Sequence, residues 1–328
     1  MRWLLYISLL FGFLVTFIST PYLIRYLRKI DLIVKDVHKE EKPLIPVSGG
    51  LAVLSGLMGG LMWYIFIQTF YYESPKNLLL LFSAITTILL ITFIGFMDDL
   101  IIEKNKNETS GLKQWQKPVL ALFAAVPLMV VQAGTSTMLI PFLGRVDVGL
   151  LYPLLFVPIG IIGASNMVNI LAGFNGSEAG MGIIYLGNLG LYAYINQRYS
   201  AAAIAGITVF ALLAFYYYNK VPAKILGGDS LTYLLGGVLV TVAVLGNIER
   251  AALIVSIPFF IEFILKARGK LKKKTIGTIE NGKIKSLYGN KIYSIPHILT
   301  RTGKYTEKQV VYFMIFVQVI FSSLIWLI

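Results

Sequence analysis

Apolar windows of about 20 residues recur along this chain from one end to the other, and that recurrence limits its fold more than any other feature. A helix needs about 20 apolar residues to cross a bilayer core. Ten such windows stand at 3–23, 48–70, 78–97, 118–134, 149–167, 180–195, 199–218, 230–247, 250–266 and 309–328. They predict an all-α polytopic membrane protein with about ten transmembrane helices. Composition agrees: 57% of residues are hydrophobic and 14% charged, where a soluble domain carries roughly 25% charged residues, so a water-soluble globule is excluded. The first window is too long for a signal h-region and lacks a small-residue cleavage site, so it reads as a retained span.

The charge is lopsided. The 29 Lys and Arg exceed the 16 Asp and Glu by 13, an excess that in so apolar a chain belongs in loops facing an anionic leaflet rather than on nucleic acid. With the N-terminus outside, 24 of the 29 basic residues fall on the inner side and only Arg2, Lys76, Arg145, Arg198 and Arg250 outside. The positive-inside rule then places both termini outside. The sequons at Asn107 and Asn175 fall inside and are expected to carry no glycan. Residues 267–308 are polar and basic, and Asn281-Gly282 between β-formers predicts a hairpin, so a small cytoplasmic β-hairpin-containing loop is expected between the last two helices. No linker divides the chain, which reads as a single integral-membrane domain over 1–328.

Acids and amides that the apolar background does not explain are the informative residues of a membrane protein. Here Asp98 and Asp99 end the third window, Asn166 and Asn169 end the fifth, Asn175 and Glu178 follow, and Asp229 opens the eighth. All lie at the inner ends, the pattern of an interfacial active site; a transporter places such groups nearer the midplane. Adjacent residues on a helix point about 100° apart, so Asp98 and Asp99 divide their work, one meeting an ion or nucleophile and the other orienting a neighbour. Read alone, the pair also suits a simple water boundary. Asn166 and Asn169 share a helix face, and the turn through Gly173, Asn175 and Gly176 lets backbone amides approach a phosphate or a base. Asp229, after Gly227-Gly228, is a helix N-cap that can also hold a divalent ion. Pro46-Val-Ser48-Gly49-Gly50 opens the second window, as a ligand contact or as close helix packing. Lys117 and the Lys266, Arg268, Lys270 group are placed to clamp a diphosphate or to meet anionic lipid. There is no cysteine and the histidines are His38 and His297, so any metal is expected to be a hard ion on oxygen ligands.

In order along nearly the whole chain, Pro46-Val-Ser-Gly-Gly50, Gly95-Phe-Met-Asp-Asp99, Gly111-Leu followed by Lys117, Asn166-x-x-Asn169-x-x-x-Gly173-x-Asn175-Gly176-x-Glu178, Gly228-Asp229-Ser230 and Pro296-His297 resemble the polyprenyl-phosphate N-acetylhexosamine-1-phosphate transferases. The Asn-rich stretch looks most like the eukaryotic and archaeal branch, which moves GlcNAc-1-phosphate from UDP-GlcNAc to dolichyl phosphate. Bacterial relatives usually carry Asp-Gly where this chain has Ala172-Gly173, and the muramyl-pentapeptide transferases a run of three histidines where it has His297 alone. The resemblance implies Mg²⁺ or Mn²⁺ at Asn169 and Asp229, and catalytic roles for Asp98, Asp99, Asp229 and Lys117. It implies substrate contacts from Ser48, Gly49, Asn166, Asn175, Gly176, Glu178 and His297, and more loosely from Arg268 and Lys270. It also implies an integral-membrane location, in the plasma membrane of a prokaryote or archaeon, with the active site on the cytoplasmic face, and a homodimer.

Both reactants of such a transfer are anionic, so a divalent ion with lysine and arginine offsets their repulsion. The lipid phosphate, with a second pKa near 6, is largely ionised without a strong base. Direct attack on the sugar-linked phosphate is therefore the expected route, with Asp98 or Asp99 assisting, and an aspartyl-phosphate intermediate is the alternative. Transfer from another UDP-sugar, such as UDP-GalNAc or UDP-MurNAc-pentapeptide, is the nearest rival function. A lipid-linked sugar flippase or transporter is the rival from another class.

Overall fold

A computed structural model of the chain describes residues 2–73, 77–104, 111–140 and 144–328. Lys76, Lys106 and the Asn107 sequon lie outside the described residues. All ten apolar windows fall on helices: α1 (Arg2–Lys29), α2 (Gly50–Phe70), α3 (Leu78–Lys104), α4 (Gln116–Val130), α5 (Val157–Leu171, entered through a π-helical turn Tyr152–Phe156), α6 (Ser177–Ile195), α7 (Tyr199–Asn219), α8 (Gly228–Gly246), the pair α9 (Glu249–Val255) and α10 (Ile257–Arg268), and, after the four-residue α11 (His297–Thr300), α12 (Glu307–Ser323). Among the described residues, seven helical segments are long and apolar enough to cross a membrane, and the chain is a polytopic membrane protein.

The three windows outside that set have local causes. Helix α4 has 15 residues, about 22 Å at 1.5 Å per residue, short of a hydrocarbon core about 30 Å thick. Helix α6 buries Gly180, Gly182 and Gly190 and is diluted in apolar character by them. The ninth window breaks at Ser256, because Pro258 stands in the first turn of α10 and a proline brings no N–H to continue a preceding helix.

Helix α8 is the axis of the bundle: 78% of its apolar window is buried in protein, against 33% for α1 and for α12, so other helices rather than lipid surround it. Its neighbours approach at backbone distance. A Cβ on Gly95 of α3 would lie 2.7 Å from the Asp229 carbonyl carbon, and one on Gly50 of α2 would lie 2.7 Å from Leu231 Cα. On α8 itself, a Cβ on Gly236 would lie 2.5 Å from Ser165 Cα of α5. Gly237 of α8 meets Ile91 of α3, and Gly160 of α5 meets Val240 of α8, so α3 and α5 both run antiparallel to α8. The C-terminal end of α3, the C-terminal end of α5 and the start of α8 therefore share one end of the bundle.

Among the described residues, three two-stranded antiparallel ribbons decorate it: β1 (Ile33–Lys35) with β2 (Leu44–Pro46), β3 (Thr137–Ile140) with β4 (Gly144–Asp147), and β5 (Gly277–Glu280) with β6 (Lys283–Ser286). The last turns through Asn281 at φ 51° and Gly282 at φ 71°, the positive-φ pair that a tight two-residue hairpin requires. Its lobe is bolted to α10. Buried Glu262 accepts hydrogen bonds from Ser294 Oγ at 2.7 Å and the Ile295 N–H at 2.8 Å, while Lys266 Nζ donates to the Lys273 carbonyl and to Thr275 Oγ1.

Candidate active site

Four side chains singled out in the sequence converge where α3, α4 and α8 meet. Asp98 is fully buried. Its Oδ1 accepts the Leu112 N–H at 2.5 Å, and its Oδ2 pairs with the Lys117 ammonium. The same ammonium lies 3.4 Å from Asp229 Oδ2, so one lysine is shared by two carboxylates from different helices. Asp99 faces elsewhere, as the 100° offset along α3 requires. It is 4% exposed and accepts Ser48 Oγ at 2.6 Å, the Asp229 N–H at 2.8 Å and the Ser230 N–H at 3.2 Å. It thus caps the first turn of α8, satisfying amides that a helix start leaves open, and fixes the backbone from which Asp229 projects. Gly228, at φ 72°, has no room for a Cβ, which would lie 2.9 Å from the Asp99 carboxyl carbon.

The Ser48-Gly49-Gly50 step is built into the same scaffold. Ser48 adopts φ 76°, uncommon for a residue with a side chain, and this aims its hydroxyl at Asp99. The Gly49 and Gly50 N–H groups donate to the Leu226 and Gly227 carbonyls at 2.9 and 3.1 Å, and the Leu226 N–H returns a bond to Pro46. A Cβ on Gly49 would lie 2.8 Å from the Leu226 oxygen. The structure places these glycines against the segment that leads into α8.

On α5, Asn166 donates its amide to the Ile162 carbonyl at 2.8 Å, a bond within its own helix. Asn169 Nδ2 is buried with no hydrogen-bond partner among the described residues. It lies one turn beyond Ser165, where α5 crosses α8, displaced about 6 Å toward the end that carries Asp229. Tyr233, one turn after Asp229 on the same face of α8, has a buried hydroxyl that is likewise without a partner. Two carboxylates offset by one ammonium, with the unpartnered Tyr233 hydroxyl and Asn169 amide toward the same end of the bundle, leave a net negative, oxygen-bearing donor set. Such a set fits a small hard divalent cation.

The loop after α5 is exposed at Gly173 and buried from Phe174 to Ser177. Glu178 Oε1 accepts the Gly173 N–H at 2.8 Å, and Gly176 enters α6 at φ 84°. Asn175 is 4% exposed. Its Nδ2 donates to Asp36 Oδ2 at 2.8 Å and its N–H to Glu307 Oε1 at 3.1 Å. Asp36, His38, Lys39 and Glu307 were not among the site residues expected from sequence. The only signal was the density of titratable residues between β1 and β2, which alone reads as a polar loop.

Among the described residues, His297, Arg268 and Lys270 make no hydrogen bond or ion pair with the aspartates. His297 is buried in the lobe, where its Nδ1 accepts the Tyr293 N–H at 3.2 Å and its ring packs beside Tyr288. Burial, reinforced by the Lys266 ammonium, pushes its imidazole down to about 4, so it is neutral at ordinary pH. Arg268 and Lys270 are exposed at the end of α10. Lys266 of the same basic group is buried and tied to the lobe backbone.

The sequence pattern of glycosyl transferase family 4 matches residues 81–247. A protein of Saccharolobus solfataricus is 32% identical over 322 residues, 96% of this chain and 94% of its own length. A second, from Sulfolobus acidocaldarius, is 31% identical over 97% of this chain and 94% of its own length. Both carry the provisional name UDP-N-acetylglucosamine–dolichyl-phosphate N-acetylglucosaminephosphotransferase. A phospho-N-acetylmuramoyl-pentapeptide-transferase of Lactiplantibacillus plantarum is 33% identical over 78% of this chain and 79% of its own length. The matched region holds Asp98, Asp99, Lys117, Asn169 and Asp229 together, and the chain belongs to glycosyl transferase family 4.

Proposed function

We propose that this protein transfers GlcNAc-1-phosphate from UDP-GlcNAc to a polyprenyl phosphate of the dolichyl type, releasing UMP, as the first membrane step of lipid-linked glycan assembly. The observation that carries the reading is the sharing of Lys117 by Asp98 and Asp229 at one end of the bundle, in a chain aligned end to end with relatives named for that reaction. The bond that forms joins a lipid phosphate oxygen to the sugar-linked phosphorus. The bond that breaks is the diphosphate bridge, and UMP leaves with its electrons.

Asp98 and Asp229, with Asn169, are the residues that would hold Mg²⁺ or Mn²⁺. Such an ion supplies Lewis-acid stabilisation of the charge developing on the leaving phosphate. Lys117 adds a fixed positive charge at the same point, pre-oriented by both carboxylates. Asp99 supports this as a positioning residue, since its oxygens hold Ser48 and the start of α8. That engagement leaves Asp99 no free nucleophile, and with Asp98 assigned to the ion and to Lys117 it favours direct attack. Inversion of configuration at phosphorus is the outcome expected of a chiral-phosphate substrate, and net retention would sink the direct route.

The lipid has an apolar place to lie. A cavity of about 440 Å³ runs between α5, α8, α9 and α10, lined by Phe156, Gly163, Met167, Val240, Leu253 and Phe260 among others. The excess of basic residues supports a cytoplasmic placing of the acids and amides by the positive-inside rule, since 24 of the 29 fall on that side when the N-terminus is outside, and a soluble anionic nucleotide sugar arrives there. A homodimer accords with the resemblance.

The deciding experiment incubates membranes carrying the protein with radiolabelled UDP-GlcNAc, polyprenyl phosphate and Mg²⁺. A lipid-extractable sugar diphosphate and equimolar UMP are expected. Chelation with EDTA should lower the rate by more than about 10²-fold, because a Lewis-acid ion contributes several kcal/mol to such a transfer, and added Mg²⁺ should restore it. UDP-MurNAc-pentapeptide belongs in parallel, given the Lactiplantibacillus relative. Transport of sugar-lipid across vesicles without UMP would overturn the reading.

A further inference from the structure

We infer that Asp36 and Glu307 form a clasp that positions the Asn175 loop for the nucleotide sugar, an inference that rests on the function proposed above. The loop between α5 and α6 is gripped twice at one residue: Asp36 holds the Asn175 side-chain amide and Glu307 holds its backbone N–H. The two carboxylates reach it from opposite parts of the chain, one between β1 and β2 and the other at the first residue of α12. Lys39 ties them together, pairing with Glu307 and lying 3.5 Å from Asp36 Oδ2.

His38 closes the back of the clasp. Its Nε2 accepts the Gly277 N–H at 3.4 Å, which leaves the ring proton on Nδ1, facing Glu307 Oε1 at 3.6 Å. The ring stacks on Phe174 of the same loop with centroids 4.4 Å apart and planes 5° from parallel. On the far side, the Gly282 N–H of the lobe hairpin donates to Glu40 Oε1 at 3.1 Å. The Asn175 loop is thus held by the β1–β2 connection and the last helix, and that connection is in turn tied to the lobe hairpin.

Asp36, His38 and Glu307 lie close enough to suggest a cation site of their own. The geometry argues against one, because His38 has no ring lone pair to offer: its Nε2 accepts the Gly277 N–H and its Nδ1 carries the proton that faces Glu307. Stability is a poor reason for the arrangement as well. Buried ion pairs gain little over apolar side chains of the same volume, and their best-attested use is to fix a register. What they fix here is the loop that carries Asn175 and Gly176. A residue acting through substrate-loop geometry alters binding of the ground state and transition state alike, which raises KM and leaves kcat in place.

The test measures steady-state kinetics of Asp36→Ala and Glu307→Ala in the full-length protein, varying UDP-GlcNAc and polyprenyl phosphate separately. KM for UDP-GlcNAc should rise about tenfold, equivalent to about 1.4 kcal/mol, with kcat and the lipid KM within about twofold of wild type. Glu307→Gln, which keeps an acceptor for the Asn175 N–H, should recover most of the loss. Should the alanine variants fail to fold, Lys39→Ala carries the test, because its side chain is 25% exposed and its removal leaves both hydrogen bonds to Asn175 in place but untethered; a selective rise in the UDP-GlcNAc KM is again expected. An unchanged UDP-GlcNAc KM, or kcat and both KM values moving together, overturns the clasp. A wild-type protein that releases no UMP from UDP-GlcNAc overturns the functional reading instead.

Discussion

Asp229→Asn should lower kcat for UMP release about 10³-fold, the scale of losing one fixed electrostatic contact to a developing charge, while the protein remains folded. The reason lies in how the residue is held. Its backbone N–H is bonded to Asp99 and its side chain reaches Lys117, so the asparagine keeps the helix start and loses the charge. Asp98→Asn should fall by a similar factor. The double variant should be no more than about tenfold worse than the poorer single one, because groups that act through one centre are far from additive. Asp99→Ala should behave differently: it strips an acceptor from the buried Ser48 hydroxyl and from two amides of α8, and so should lower the melting temperature along with the rate. Rates measured beside thermal unfolding in detergent separate the two patterns. A fully active Asp229→Asn would remove the residue from the centre of the reaction.

Much of this architecture was legible because a bilayer imposes a simple rule on sequence. Every apolar window coincides with helix, since lipid gives the backbone no other partner than itself, and the acids near window ends mark the charged end of the bundle. What the windows could not show is length and continuity. The break at Ser256 and the short α4 depend on where a proline falls and how a loop returns, and the β3–β4 ribbon lies in a connection between apolar windows that carries no strand pattern of its own. The site divides along the same line. Asp98, Lys117 and Asp229 stood out as charges in an apolar context, and they meet. The division of labour between Asp98 and Asp99 followed from helix geometry, but which of them turns toward Lys117 did not, because that depends on the azimuth of α3 against α8. Lys266 reads in sequence as one of a basic cluster and in the fold as a bolt between α10 and the lobe. The clasp was out of reach for a plainer reason: Asp36 and Glu307 are 139 and 132 residues from Asn175, and nothing local records that distant acids converge on one amide.

Gly95→Val should cost at least about 10²-fold in rate without touching a single polar group of the site. Gly95 lies on α3 one turn before Asp99 and faces the first turn of α8, where an added Cβ would stand 2.8 Å from the Ser230 nitrogen and closer still to the Asp229 carbonyl. These neighbours are backbone atoms, so no side chain can rotate away, and α3 and α8 must move apart. Overpacking a buried contact costs typically 1–3 kcal/mol of stability. The larger consequence is positional, because Asp98 and Lys117 approach from one side of that contact and Asp229 from the other. A displacement near 1 Å can cost about 10²-fold when reacting groups are held in fixed geometry. Gly237→Ala makes the control. It also faces α3, but two turns further into the bundle, against the side chain of Ile91, which can yield; it should lose some stability and keep most of its rate. If Gly95→Val and Gly237→Ala fall in activity only in proportion to their loss of folded protein, the close approach of α3 and α8 serves packing alone. If Gly95→Val purifies as folded protein and is nearly inactive, the absence of a side chain at residue 95 is itself part of how the carboxylates are brought to share one lysine.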